Sequence, residues 1–138
     1  MATLDINGLH ELILDMEEMA QLSKDVLDEM LIAGAEVVKN AQAKHAASML
    51  QGPYNKNFVA THGKIGKPHS TIDGRAIPVT FEGTQHGTRA AEIAFINEFG
   101  KKGQPARPFV LTANEACADE AVDAEAKVYD AWLKSKNL

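Results

Sequence analysis

The sequence predicts an α+β fold in a single domain spanning residues 1–138: two N-terminal helices, a small antiparallel sheet of about three to four strands, and a C-terminal helix packed on one side of the sheet. Three observations lead there. Apolar residues recur every three to four positions near both ends of the chain, the period of one helical face. That period disappears in the middle, where turn residues separate short runs of alternating character. The chain has 138 residues, 45% of them hydrophobic, which is enough for one core and too little for two.

A first helix is predicted over 9–20, with Leu9, Leu12, Ile13, Met16, Met19 and Ala20 on one face and Asn7 placed to cap it. Residues 21–23 form a break, and Ser23 caps a second helix. In that helix Val26, Leu27, Met30, Gly34, Val37, Val38 and Ala41 continue the stripe to about Met49. Residues 52–74 carry several glycines, two prolines and three lysines without a helical period. They read as an exposed, mobile loop with one strand near 61–65. Asp73-Gly74 is a turn signal, and the following strand places Ile77, Val79 and Phe81 on one face. Pro78 cannot donate to a ladder, which puts this strand at an edge or turns that position outward. After a turn over 82–89, Ala91, Ile93 and Phe95 alternate with Glu92, Ala94 and Ile96, and a further strand is predicted there. From Pro108 to about Lys134 a helical stripe returns through Phe109, Ala113, Ala116, Cys117, Ala121, Ala124, Val128 and Trp132.

Catalytic and metal motifs fail on inspection. "HELIL" opens like a zinc-protease helix, but Leu14 stands where the second histidine belongs. "GKIGKPHST" resembles a phosphate-binding loop, but Thr61 replaces its first glycine and Pro68 the residue after the lysine. His45, His62, His69 and His86 are scattered without metal-ligand spacing. The carboxylate pairs Glu17-Glu18 and Asp119-Glu120 point in different directions from a helix and read as solvent faces. No nucleophile, base and orienter can be assembled, so no enzymatic role, metal or cofactor is expected. The lone Cys117 reads as a small core residue. No apolar run approaches the roughly 20 residues that span a bilayer, and the N-terminus lacks the pattern of a signal peptide, so a soluble protein is expected.

The formal net charge of -5 conceals segregation along the chain. Residues 1–38 carry -8, residues 39–107 carry +6, and residues 108–138 carry -3. Such a distribution favours head-to-tail contacts between copies of one chain. The lysines and arginine of the middle, Lys56, Lys64, Lys67 and Arg75, form a candidate interaction loop. Charges of this kind need only phosphate to bind, so non-specific nucleic-acid binding is the alternative. The acidic balance and the lack of a helix-turn-helix, zinc finger or aromatic platform argue against a dedicated binder.

The most particular stretch is "FINEFGKKGQPARPFV". Gly100 permits a tight reversal, Lys101-Lys102-Gly103 forms the turn, and Gln104 and Arg107, each before a proline, are held extended. Pro108 suits the first turn of a helix and delivers Phe109 to its buried face. Glu98 and Arg107 are placed to pair across the reversal, and Thr112 to Glu115 offers a capping box as an alternative helix start.

This stretch, with "NGLHEL" near the start and "AGAEVVKNAQAKHA" on the second helix, resembles the tail-completion or head-tail joining proteins of long-tailed phages. These are the small gene-ten-type neck proteins also found in prophages. The resemblance covers most of the chain in order, and its most specific part is Glu98-Phe99-Gly100 followed by Arg107, Pro108 and Phe109. Such proteins commonly show a proline, Thr-Gly and a leucine after the second helix; this chain has "LQGPYNKNF" there. The resemblance implies structural work in the virion: a ring of copies, hexameric in the family, that closes the tail tube and docks to the head-tail connector. It also implies passing contact with DNA and residence in the bacterial host cytoplasm during assembly, then in the virion neck.

Overall fold

The computed structural model describes residues 2–4, 11–15, 24–72 and 74–135. Strands β1 (Ala2–Leu4) and β2 (Glu11–Asp15) are followed by helix α1 (Lys24–Met49) and helix α2 (Pro53–Thr61). Next come strands β3 (Gly63–Ile65), β4 (His69–Ser70) and β5 (Gly74–Phe81), then the hairpin β6 (Thr84–Gln85) and β7 (Thr88–Arg89). Helices α3 (Ala90–Phe99) and α4 (Phe109–Ser135) complete the α+β fold.

The sheet is built around β5. Strand β2 pairs antiparallel with its first five residues, from Asp15 opposite Gly74 to Glu11 opposite Pro78, and β1 pairs in turn with β2. The other edge of β5 carries β3, with Ile65 opposite Val79, and β4, with His69 opposite Ala76. Between those pairs three residues, 66–68, face only two on β5, so β3 and β4 act as one edge interrupted by a bulge. This solves the problem of Pro78. The strand is central, contrary to the expectation of an edge or outward position, but Pro78 points its carbonyl at Gly66, whose N–H donates to it at 2.9 Å. In extended backbone the N of a residue faces the same edge as its carbonyl. The missing N–H therefore falls where the bulge ends the ladder. Gly66 is required there, since a Cβ would lie 2.5 Å from the Pro78 ring.

Helix α1 turns its apolar stripe inward, and Val26, Leu27, Met30, Leu31, Ala35 and Val38 are buried. Helix α4 runs beside it and together they cover Ile77 and Val79 of β5. The two helices are antiparallel, because Gln42 Nε2 donates to Asn114 Oδ1 at 3.0 Å near one end while Val26 and Trp132 belong to the same cluster near the other. A second cluster joins Leu50, Phe58, Val59, Phe81, Ile93 and Phe109. Phe109 is fully buried with its ring 5.7 Å from Phe81, a burial that contributes about 1.5–3 kcal/mol.

Three sequence expectations are corrected. Residues 11–15, placed in a first helix, form β2; "ELILD" is too short for its period to separate helix from strand, and pairing with the exposed edge of β5 satisfies its backbone groups. The rest of that expected helix, with the Asn7 and Ser23 caps, lies outside the described residues. Residues 90–99, expected as a strand, are helical: Ala90, Ile93, Ala94 and Asn97 are buried at helical spacing, a stripe hidden in a segment that is apolar on nearly every side. Residues 52–74, expected as a loop with one strand near 61–65, do hold that strand as β3 but also α2 and β4, and Phe58 and Val59 belong to the core. Pro at the first position of α2 and Gly52 at φ 83 before it are the start signals. The turn after β5 is as expected: His86 at φ 52 and Gly87 at φ 79 make the two-residue hairpin loop of the I′ kind. Helix α4 begins at Phe109, not at the capping-box alternative, and Thr112 Oγ1 donates back to the Pro108 carbonyl at 2.7 Å.

One core position has an electrostatic cost. Glu125 is 1% exposed on α4, and neither carboxylate oxygen has a hydrogen-bond partner among the described residues. Burial pushes its pKa up from 4.5 to about 8, so the folded chain holds it protonated at neutral pH. The unfolded chain ionises first. Stability is therefore full below about pH 4.5, falls as pH rises, and reaches its lower plateau above about pH 8. Glu125→Gln is expected to remove that part of the pH dependence: melting temperatures of wild type and variant, compared from pH 5 to pH 9, should diverge in favour of the variant as pH rises.

Candidate interaction site

The segment that carries the most particular sequence pattern folds into a corner between α3 and α4. Helix α3 ends at Gly100, whose N–H donates to the Ile96 carbonyl at 2.7 Å. Gly100 sits at φ 79, and a Cβ there would lie 2.9 Å from the Ala106 nitrogen and 3.0 Å from the Gln104 oxygen. Both conformation and space demand glycine. Lys101 and Gln104 then exchange two backbone hydrogen bonds, 3.0 and 2.9 Å, around a turn whose third residue is Gly103 at φ 83.

The chain returns along α3 and is tied to it. The Arg107 N–H donates to the Asn97 carbonyl at 2.6 Å, and the buried Asn97 side chain donates to the Ile93 carbonyl at 2.9 Å. The decisive contact is Glu98. Its Oε1 accepts from the Val110 N–H at 2.7 Å and its Oε2 from the Leu111 N–H at 3.1 Å. These belong to the second and third residues of α4, whose N–H groups have no acceptor inside the helix. Pro108, just before the helix, has no side-chain oxygen to offer. A carboxylate from another helix takes the part of the N-cap, where negative charge also meets the positive end of the helix dipole.

The sequence expectations for this motif divide. Phe109 and Pro108 stand where expected, at the buried start of α4. The Glu98–Arg107 ion pair is corrected: Glu98 is engaged by α4, and Arg107 contributes its backbone. Both Glu98 oxygens are taken by backbone amides of α4.

Phe99 lies outside the corner. With Phe95 one turn earlier it forms an exposed aromatic pair, ring centroids 4.8 Å apart, with exposures of 53% and 64%. Lys101 and Lys102 follow it on the exposed turn. Phe95 escaped sequence reasoning because the segment was read with period two; at helical period the i, i+4 spacing of the two rings is the signal.

The candidate basic loop is dispersed by the fold. Arg75 is buried, donating Nε to Asp28 Oδ1 at 2.7 Å and Nη1 to Ser70 Oγ at 3.0 Å, so it fastens β5 to α1 and β4. It is corrected from interaction residue to structural residue. Lys64 pairs with Glu82 at 2.8 Å, both more than half exposed, an arrangement worth little to stability. Lys56 is half-buried on α2, and Lys67 is exposed at the bulge. Thr61, His62 and His69 lie in this region, but among the described residues no three His, Cys, Asp or Glu side chains gather in a metal-holding cluster. The His62 ring instead donates Nδ1 to the Phe58 carbonyl at 2.7 Å and packs edge-on against the Phe58 ring. Among the described residues no helix is long and apolar enough to cross a membrane.

No family model matches the sequence, and no significant match was found among curated proteins or solved structures.

The corner is open to a stability test. Glu98→Ala leaves two N–H groups at the start of α4 without their acceptor, and is expected to cost about 2–3 kcal/mol in urea unfolding. Glu98→Gln, which keeps one acceptor oxygen, should cost roughly half of that, and Arg107→Ala less than about 1 kcal/mol. Equal costs for Glu98→Ala and Arg107→Ala would restore the ion-pair reading.

Proposed function

We propose that this protein is a structural virion protein of a tailed phage or prophage. It acts in tail completion and head-tail joining, as a ring at the neck that docks the tail tube to the connector. The observation that carries the reading is the corner itself. The stretch resembling the neck proteins is the one that holds α3 rigidly while leaving Phe95, Phe99, Lys101 and Lys102 outside. A rigid apolar pair bordered by charge suits a surface that binds another surface.

The segregation of charge supports the same reading. Exposed Asp25, Glu29 and Glu36 give α1 a line of carboxylates, and Glu115, Asp119, Glu120 and Asp123 leave α4 acidic, while the corner is basic. A ring uses heterologous contacts, one face of each copy against a different face of the next. By the family resemblance the ring has six copies, forms in the host cytoplasm and remains in the virion, and touches DNA only in passing. The work asks for shape and charge, with no substrate, metal or cofactor. Non-specific nucleic-acid binding through the middle of the chain is disfavoured because Arg75 is buried against Asp28 and Lys64 faces Glu82.

Electron microscopy of the purified protein, alone and mixed with tail tubes, tests the reading. Rings or tube-end caps of uniform diameter are expected; naked tube ends at saturating protein would sink it. A DNA mobility shift that fades with salt, in the absence of any tube binding, would favour the nucleic-acid reading instead.

A further inference from the structure

Two exposed patches on this chain have complementary chemistry, and they lie on different elements. The first is the outer face of α3 and the turn after it. Phe95 and Phe99 present two rings to solvent, and Lys101 and Lys102 stand exposed beyond them. Glu92, one turn before Phe95, is also exposed, so the patch is polarised along its length, with the lysines at one end. The second patch is the outer stripe of α1. Asp25, Glu29, Ile32, Glu36 and Asn40 are all exposed at spacings of three or four, one line along the helix. Ile32, 43% exposed, sits in that line between two carboxylates, and the line contains no cation.

We propose that α3 of one copy docks on α1 of the next, the Phe95–Phe99 pair covering Ile32 while Lys101 and Lys102 reach Glu29 and Glu36. This deepens the assembly role proposed above and rests on it: the partner of the aromatic face is a second copy of this chain. The α3 patch has an apolar centre with cations at one end and Glu92 at the other, and the α1 patch an apolar centre between carboxylates, so the lysine end of α3 is the end drawn to α1. Aromatic side chains are the usual anchors of such contacts, with charges at the rim. The other exposed aliphatic residue of the long helices, Val122 on α4, fits less well. One turn before it stands Asp119, but the residues three and four positions after it are the buried Glu125 and the uncharged Ala126. Ile32 has a carboxylate on either side. Because donor and acceptor patches differ, each contact leaves one of each kind free, and copies add head to tail until a rotation closes the ring.

The glycine and the cap explain why the donor patch is presented so firmly. Gly100 fixes the exit of α3, and Glu98 fixes α3 to α4, so the rings stand on a preorganised surface. Little conformational freedom remains to be lost on docking.

Sedimentation velocity over a wide concentration range reads the association. Wild type is expected to form oligomers as concentration rises, and Phe95→Ser with Phe99→Ser to weaken association by about tenfold or more while leaving a folded chain, since both rings are exposed. Lys101→Glu with Lys102→Glu should also weaken it, and adding Glu29→Lys with Glu36→Lys to the same chain should restore it. Mild oxidation of Phe99→Cys chains mixed with Ile32→Cys chains should give a crosslinked pair that neither gives alone; Cys117 is buried and does not compete. A monomer at every concentration overturns the inference, as do oligomers indifferent to these substitutions, Phe99→Cys chains that link to one another, or preferential linkage to Val122→Cys. Oligomers that ignore the substitutions remove this contact alone and leave the neck assignment standing. Tube ends left bare by wild type remove the assignment itself.

Discussion

A single carboxylate holds the two halves of the C-terminal region together. Glu98 stands near the end of one helix and satisfies the start of the next, across a nine-residue connection that contains two prolines. Helix α4 begins just after a proline, which has no side-chain oxygen to accept the N–H groups of its first turn. Without Glu98 those amides would lose their acceptor, and α3 would be held by its apolar face and the Arg107–Asn97 backbone hydrogen bond. With Glu98 in place the orientation of α3 is set, and so is the side of it that meets water. The position of Phe95 and Phe99 follows from that contact.

The same economy appears in the sheet. Strand β5 carries a proline in its middle and an arginine on its core face, both unpromising for a central strand. The proline is accommodated by the bulge opposite it, and the arginine by Asp28 of α1. Breaking that ion pair would strand a buried charge, which costs far more than the pair gains. Of the positive charge that looks available for binding in the sequence, Arg75 is thus consumed in attaching sheet to helix.

A functional reading in terms of surfaces agrees with the distribution of chemistry. The histidines whose rings are placed near carbonyls serve local backbone groups: His45 Nδ1 bonds the Ala41 carbonyl at 2.9 Å, and His62 bonds that of Phe58. Among the described residues, the rings of Phe95 and Phe99, the turn lysines and the outer carboxylates of α1 stand exposed. All three are the material of protein-protein contact, and their arrangement in two unlike patches suits repetition of one chain.

The long helices were readable in the sequence because twenty-six or more residues of a repeating stripe outweigh any local ambiguity. A turn within 82–89, the reversal at Gly100 and the proline just before α4 were readable too, since each depends on a backbone preference carried by a few residues. Short apolar segments were not. "ELILD" became a strand because β5 offered it an edge, and "AAEIAFINEF" became a helix because Ile93, Ala94 and Asn97 met a core and Glu98 met α4. The resemblance drew attention to Glu98 and Phe99, but the partner of Glu98 and the companion of Phe99 depended on which secondary structure the segment adopted. Local preference, summed over many residues or concentrated in a glycine or proline, is written in the chain. Where it is weak, pairing and burial between distant segments decide, and those exist only once the chain has folded.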